Sequence, residues 1–141
     1  MDRERIWTAA IVVIGDEILS GRTQDRNVAQ IATWLNVQGI RLNEVRIVAD
    51  DAQAIAEAVN TLRARNDYLF TTGGIGPTHD DITVDAIAAA LGVDVVVHPK
   101  ARAVLDAHYT DRGGLTDARL RMARVPEGAT LIENRMSGAP G

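Results

Sequence analysis

Asp80 and Asp81 stand side by side at the end of a glycine-rich stretch, Gly73-Gly-Ile-Gly-Pro-Thr78. The glycines permit backbone dihedrals closed to other residues and let a ligand approach the main chain. Amide N–H groups from Gly73, Gly74 and Gly76, followed by a helix N-terminus, form a device suited to binding an anion. Two carboxylates in that place would repel a bare phosphate. They fit a divalent cation lying between them and the phosphate, or a role on a proton or hydroxyl. A plainer role competes, because Asp is a favoured helix N-cap. Thr72 and Thr78 add hydroxyl donors on either side.

The elements needed to hold this turn are legible on both sides of it. Tyr68–Thr72 is a short run of aromatic, apolar and β-branched residues, as in a buried strand. From Asp81 the apolar residues Val84, Ile87, Ala88 and Leu91 recur at helical spacing, and Gly92 closes that helix. Upstream, Thr8–Ile14 is a continuous apolar run suited to a strand covered on both faces. A loop, 15–23, follows and carries Gly15, Asp16 and Glu17. Asp25 can cap a helix bearing Val28, Ile31, Ala32 and Leu35, which Gly39 stops. Residues 40–48 partly alternate and predict a second strand; Asp50 and Asp51 follow, then a helix with Ile55, Val59 and Leu62.

Beyond the central turn, residues 93–98 predict a strand. Pro99 opens a helix to about Arg112, with Val104 and Leu105 inward. Thr116 or Asp117 caps a short helix to about Ala123. Pro126-Glu127-Gly128 is a turn, residues 129–132 a last strand, and 133–141 a polar, glycine-rich loop. Strands alternating with amphipathic helices predict an α/β fold, a three-layer α/β/α arrangement with a mostly parallel sheet. Ligands of such sheets bind outside the carboxyl ends of the strands. The acidic turns at Asp16-Glu17, Asp50-Asp51 and Asp80-Asp81 then fall along one edge.

Composition narrows the function classes. The chain has 141 residues, 46% hydrophobic, a formal net charge of −4 and no cysteine. One domain is the natural expectation at this length. No basic patch stands out, so nucleic acid is not an expected partner. Disulfides and thiolate chemistry are excluded, which suits a cytoplasmic location. The apolar run after Arg5 meets Gly15-Asp16-Glu17 with no small-residue cleavage site, so it reads as a strand and not as a leader. No stretch is long enough to span a membrane.

Several common motifs fail. Gly74-Ile-Gly-Pro-Thr-His79 departs from the dinucleotide fingerprint at its last position, and no phosphate-binding G-x-x-x-x-G-K-[ST] sequence occurs. His79, His98 and His108 lack zinc spacing. His79 sits beside the acids, where a phosphate contact and a plain surface position both fit. Trp7 and Trp34 read as packing residues.

The stretch Thr71-Thr-Gly-Gly-Ile-Gly-Pro-Thr-His-Asp-Asp-Ile-Thr83 closely resembles the signature loop of the molybdopterin-binding (MoCF-biosynthesis, MoaB/Mog-like) domain. Gly-Pro-Thr with the paired Asp resembles its competence/damage-inducible protein A (CinA) branch. Gly15-Asp-Glu-Ile-Leu-Ser-Gly21, with Asp25 and Asn27, matches that branch's first loop. Pro126-Glu-Gly-Ala129 and Asn134 to Gly141 match its later segment. The likeness covers essentially the whole chain. Family members continue past Ala-Pro-Gly into a further strand and loop, so residues 1–141 are expected to form one such domain shortened at its C-terminus, with reduced stability.

The resemblance implies a phosphate-bearing small ligand, either a pterin such as molybdopterin or an adenine dinucleotide. Plant and animal relatives adenylylate molybdopterin with Mg-ATP; the CinA type is associated with hydrolysis of the pyrophosphate in ADP-ribose or FAD-like molecules. Both attack phosphorus with a metal's help, Mg²⁺ being the expected ion. Asp81 aligns with the family's acid in the glycine loop and Asp50 with the acid after the second strand. Asp81, Asp50 and Asp16 are the expected metal ligands. Gly15, Asn27, Thr72, Gly73, Gly74, Gly76, Pro77 and Thr78 are the expected ligand-binding set. Glu17 or Asp80 would orient water. A pterin-binding module without turnover is the alternative, and a homo-oligomer is expected because relatives form dimers or trimers.

Overall fold

A computed structural model describes residues 5–132 of the chain. It divides into two compact units, Met1–Gly73 and Gly74–Gly141. The fold is mixed α/β with a parallel sheet.

In the first unit the strands are β1 (Thr8–Ile14), β2 (Arg41–Val48) and β3 (Tyr68–Thr72). All pair in parallel, in the order β2-β1-β3. The chain leaves β1 for one side through α1 (Asp16–Leu19) and α2 (Asn27–Val37), then returns across β1 through α3 (Ala52–Arg65). Two right-handed crossovers in opposite directions put α2 and α3 on opposite faces of the sheet. This explains why Ala9 to Ile14 are buried without a break: each face of the central strand meets a helix. Leu35 of α2 and Ile55, Ala58, Val59 and Leu62 of α3 complete the buried set.

Side chains of the turns fix these helices. The Asp51 carboxylate accepts from Ala54 N–H at 2.8 Å and caps α3. Asp25 accepts from Val28 N–H at 2.9 Å, as its position suggested. Asp67 anchors the start of β1, accepting from the Thr8 amide and hydroxyl and from Arg5. The Thr8 amide, assisted by Arg5 and the Thr8 hydroxyl, outweighs the opposing effect of desolvation and lowers its pKa.

In the second unit, α4 (Thr83–Leu91) leads to β4 (Val95–Val97), α5 (Pro99–Tyr109), α6 (Asp117–Leu120), a 3₁₀ turn (Arg121–Ala123) and β5 (Arg124–Pro126). β5 pairs antiparallel with β4. Ala101, Leu105 and Ala123 are fully buried, with Tyr109, Leu115, Leu120, Met122 and Leu131 packed on them. His98 caps α5 through Nδ1, and Thr116 caps α6.

Several sequence expectations need correction. The last strand lies before the 126–128 turn, not after it; residues 129–132 form no strand. Loop 15–23 contains the single-turn helix α1. Val104 and Leu91 are solvent-exposed, because inward places on α5 and α4 go to Ala101, Leu105, Ala86 and Ala88. Trp7 and Trp34 are partly exposed: Trp7 lies under the Arg5 guanidinium and Trp34 meets Phe70 edge-on. Asn134 to Gly141, part of the family likeness, lie outside the described residues. Among the described residues no helix is long and apolar enough to cross a membrane.

Candidate functional site

The parallel register aligns the strand ends that carry acids. Ile14 lies beside Val48, and Val13 beside Thr72. The turns after β1 and β2 therefore start level with each other. There Asp16 N–H donates to Asp50 Oδ2 at 3.2 Å, and Asp50 N–H donates to Asp16 Oδ1 at 3.1 Å. Each carboxylate engages the other turn's backbone through one oxygen and leaves its second oxygen available. Glu17 is half-buried and folds over the strand end: a Cβ on Gly15 would lie 2.6 Å from Glu17 Oε1. Gly15 thus leaves room for that carboxylate, while its own N–H donates to Val48 C=O. Asn27 opens α2 and is exposed.

The glycine stretch begins at the end of β3. Gly73 has φ of 92°, and a Cβ there would lie 2.0 Å from the Ile14 carbonyl oxygen. Both the left-handed dihedral and the close backbone approach demand glycine. Thr72 ends β3, half-buried.

In the second unit the acid pair separates into two unlike residues. Asp81 turns back into the loop. Its carboxylate accepts from Thr78 N–H at 2.9 Å and from Thr78 Oγ1 at 2.7 Å. Gly76 N–H also donates to it, and a Cβ on Gly76 would approach Asp81 Oδ2 to 2.8 Å. Desolvation raises the Asp81 pKa, but the Thr78 hydroxyl, the amides of Thr78 and Gly76 and the Arg121 charge outweigh it, and the net shift is downward. The carboxylate is held ionised. Asp80 instead points to solvent, 3.3 Å from the equally exposed His79. Pro77 lies on the exposed side of the loop.

The helix after the loop starts at Thr83, two residues later than the apolar spacing suggested, and Asp81 does not cap it. Gly74 C=O instead accepts from Thr83 N–H at 3.2 Å, tying loop to helix. Thr83 is fully buried. Arg121 is a residue that sequence reasoning missed; its influence on Asp81 depends on a chain segment some forty positions away and has no local signature.

A carboxylate oxygen set suits Mg²⁺, which is commonly bound by one or two carboxylates together with substrate phosphates. Among the described residues no group of three or more His, Asp or Glu gathers closely enough to cage an ion by itself. Asp16 and Asp50, tied to each other's turns, supply the carboxylate oxygens of the two-ligand kind of site.

Residues 10–141 match the family model described as a probable molybdopterin binding domain. A CinA-like protein of Gemmatimonas aurantiaca is 41% identical over 133 residues, covering 93% of this chain and 31% of its own. The crystal structure of the protein CinA, with unknown function, from Thermoplasma acidophilum superposes with a TM-score of 0.89 at 34% identity, over 96% of this chain and 80% of that one. The tungsten cofactor synthesizing protein MoaB from Pyrococcus furiosus shares the fold, with a TM-score of 0.57 at 21% identity, over 77% and 66% of the two chains. The chain spans about half the length of the first curated relatives it matches. It belongs to the molybdopterin-binding domain family, on the CinA-like side of that family.

Proposed function

We propose that this chain hydrolyses the pyrophosphate of a nucleotide of the ADP-ribose or FAD type, with a divalent metal. The observation that carries the reading is the ionised Asp81, held by Thr78 and Gly76 inside a glycine loop and taking no part in capping the helix. A loop acid kept anionic and free of a capping duty is suited to a metal ion or a reacting phosphate.

The residues divide the work. Asp16 and Asp50, each with one uncommitted carboxylate oxygen, are the proposed Mg²⁺ ligands at the strand ends, and Asp81 is the proposed ligand in the loop. Bound metal would supply charge neutralisation and polarisation of the phosphorus–oxygen bond. The Gly74 N–H would bind a non-bridging oxygen and the Thr72 hydroxyl would orient it, while the Thr78 hydroxyl and the Gly76 amide hold Asp81. Between the two candidates for orienting water, Glu17 is favoured, because it is half-buried at the strand end while Asp80 is spent on solvent and His79.

The test is incubation of the purified protein with ADP-ribose or FAD and a divalent metal, with AMP as the readout. Absence of AMP across Mg²⁺, Mn²⁺ and Co²⁺ would overturn hydrolysis. A second reading, binding of molybdopterin without turnover, draws support from the family description and the MoaB fold. Calorimetric binding of a pterin by a protein inert towards dinucleotides would select it.

A further inference from the structure

β2 is an edge strand: among the described residues it pairs with β1 alone, and its other side is unpaired. Its register with β1 is regular from Glu44 to Val48, the irregularity lying just before, opposite Ala9 and Ala10. Val48 C=O accepts from Gly15 N–H on the β1 side. Backbone groups alternate in direction along a strand. Those of Glu44 and Arg46 therefore also face β1, and those of Val45 and Ile47 face the free edge. The strand carries neither the proline nor the lysine that commonly guards an edge.

Its side chains alternate as well. Glu44 and Arg46 share one face and pair at 2.7 Å, with Arg65 of α3 at 3.8 Å from Glu44. Val45 and Ile47 lie on the other face, 37% and 44% exposed. An edge of this kind is a template for a further strand.

A second copy of β2 fits it by symmetry. A two-fold axis sets two copies of one strand antiparallel. Outward-facing residues must then meet each other, so Val45 can oppose the partner's Asn43, Val45 or Ile47. Opposing Asn43 sets Glu44 against Glu44, and opposing Ile47 sets Arg46 against Arg46. Opposing Val45 sets Glu44 against Arg46 on both sides of the axis. Facing side chains at such positions come into contact range, where opposite charges stabilise and like charges destabilise.

We propose that two copies of this chain associate through β2, antiparallel and centred on Val45, with Glu44 of each copy against Arg46 of the other. The two parallel sheets become one, and the exposed Val45 and Ile47 side chains form a shared apolar strip. The strand ends that carry Asp16 and Asp50 point to opposite ends of the joined sheet, so each copy keeps its own site.

The experiment follows mass in solution by light scattering and sedimentation over a concentration series. The wild type should be dimeric. Glu44→Arg and Arg46→Glu each set like charges opposite one another, and each should raise the dimer dissociation constant by at least about tenfold. An equimolar mixture of the two variants should recover a dimer near wild-type strength, because its facing charges are again opposite. Within each variant chain positions 44 and 46 stay like-charged, so the recovery reads contact between copies alone. Deuterium exchange at the Val45 and Ile47 amides, early in the dilute chain, should slow at concentrations where the dimer forms.

A wild type that stays monomeric up to about 1 mM would overturn the proposal. So would a trimer, a dimer that both variants leave intact, or single variants that dissociate and remain monomeric when mixed. The exchange measurement needs only the wild type, which covers a variant that fails to fold. A dimeric mass with exchange at Val45 and Ile47 independent of concentration places the contact elsewhere and also overturns it.

Discussion

Asp16 and Asp50, 34 positions apart in the chain, each accept the other's backbone N–H. The exchange ties the turn after β1 to the turn after β2 and brings both carboxylates to the strand ends. Carboxylate oxygens are the ligand type that Mg²⁺ takes. Asp50→Asn keeps an oxygen to accept the Asp16 amide but removes the charge. It is expected to leave the thermal midpoint within a few degrees and to weaken Mg²⁺ or Mn²⁺ binding by at least about tenfold, read by calorimetry. Unchanged metal affinity would confine the pair to a turn-tying role.

Asp81→Asn tests the loop acid directly. A metal-bound carboxylate contributes several kcal/mol to phosphoryl chemistry, so turnover of ADP-ribose or FAD should fall about a hundredfold or more. A loss below about threefold would reduce Asp81 to an organiser of the Thr78 turn.

The Asp81 carboxylate also has a pH signature. Its folded pKa is lowered from the ordinary 3.8, overcoming desolvation chiefly through the Thr78 hydroxyl and amide. The associated stability is therefore present in full above the unfolded value and is lost as pH falls through the lower folded value. A carboxyl-carbon NMR titration should give a midpoint below 3.8 in the wild type, and Thr78→Val should move it upward. A midpoint at or above 3.8 in the wild type would contradict the hydrogen bonding described.

Gly73→Ala addresses the end of β3. The new Cβ would meet the Ile14 carbonyl oxygen at 2.0 Å in a left-handed conformation. Left-handed strain alone costs about 1–2 kcal/mol, and a backbone clash adds to it. Chemical denaturation should show a loss above about 2 kcal/mol. Gly21→Ala is the control: it shares the positive φ but meets nothing within 4 Å, so it should cost less.

Leu105→Ala probes the core of the second unit. Leu105 is fully buried against Ala101 and Ala123. Truncation should cost about 2–5 kcal/mol, whereas Val104→Ala on the exposed side of the same helix should cost under about 1 kcal/mol.

Elements whose apolar residues form an unbroken or strictly periodic run were legible from sequence. β1 and β3 fall on their expected residues, and α3 buries Ile55, Val59 and Leu62 as the spacing implies. The turn at 126–128 was equally legible, but β5 was not. Its three residues, Arg124-Val125-Pro126, bury only one apolar side chain and carry no strand pattern of their own. Pairing with β4 makes them a strand, and that is tertiary information.

At the candidate site the sequence marked Asp81 as unusual but left capping open. The helix opens at Thr83 with no side-chain cap, and the Asp81 carboxylate serves Thr78 instead. Arg121 was invisible for a related reason. Three arginines within six positions look alike on paper, and only the positions of Tyr109, Asp85 and the 112–114 carbonyls show that, among the described residues, two of them are engaged while Arg121 keeps a buried Nε without a partner.

β1 is paired on both sides and buried along its length. Its amides therefore have no cheap route to solvent and should be among the last in their unit to exchange with deuterium, while those on the free edge of β2 exchange early. Gly15 and Asp16 continue directly from that slow core. The acids at the strand ends thus stand on the least fluctuating part of the unit, and a ligand that needs them finds their backbone already in place.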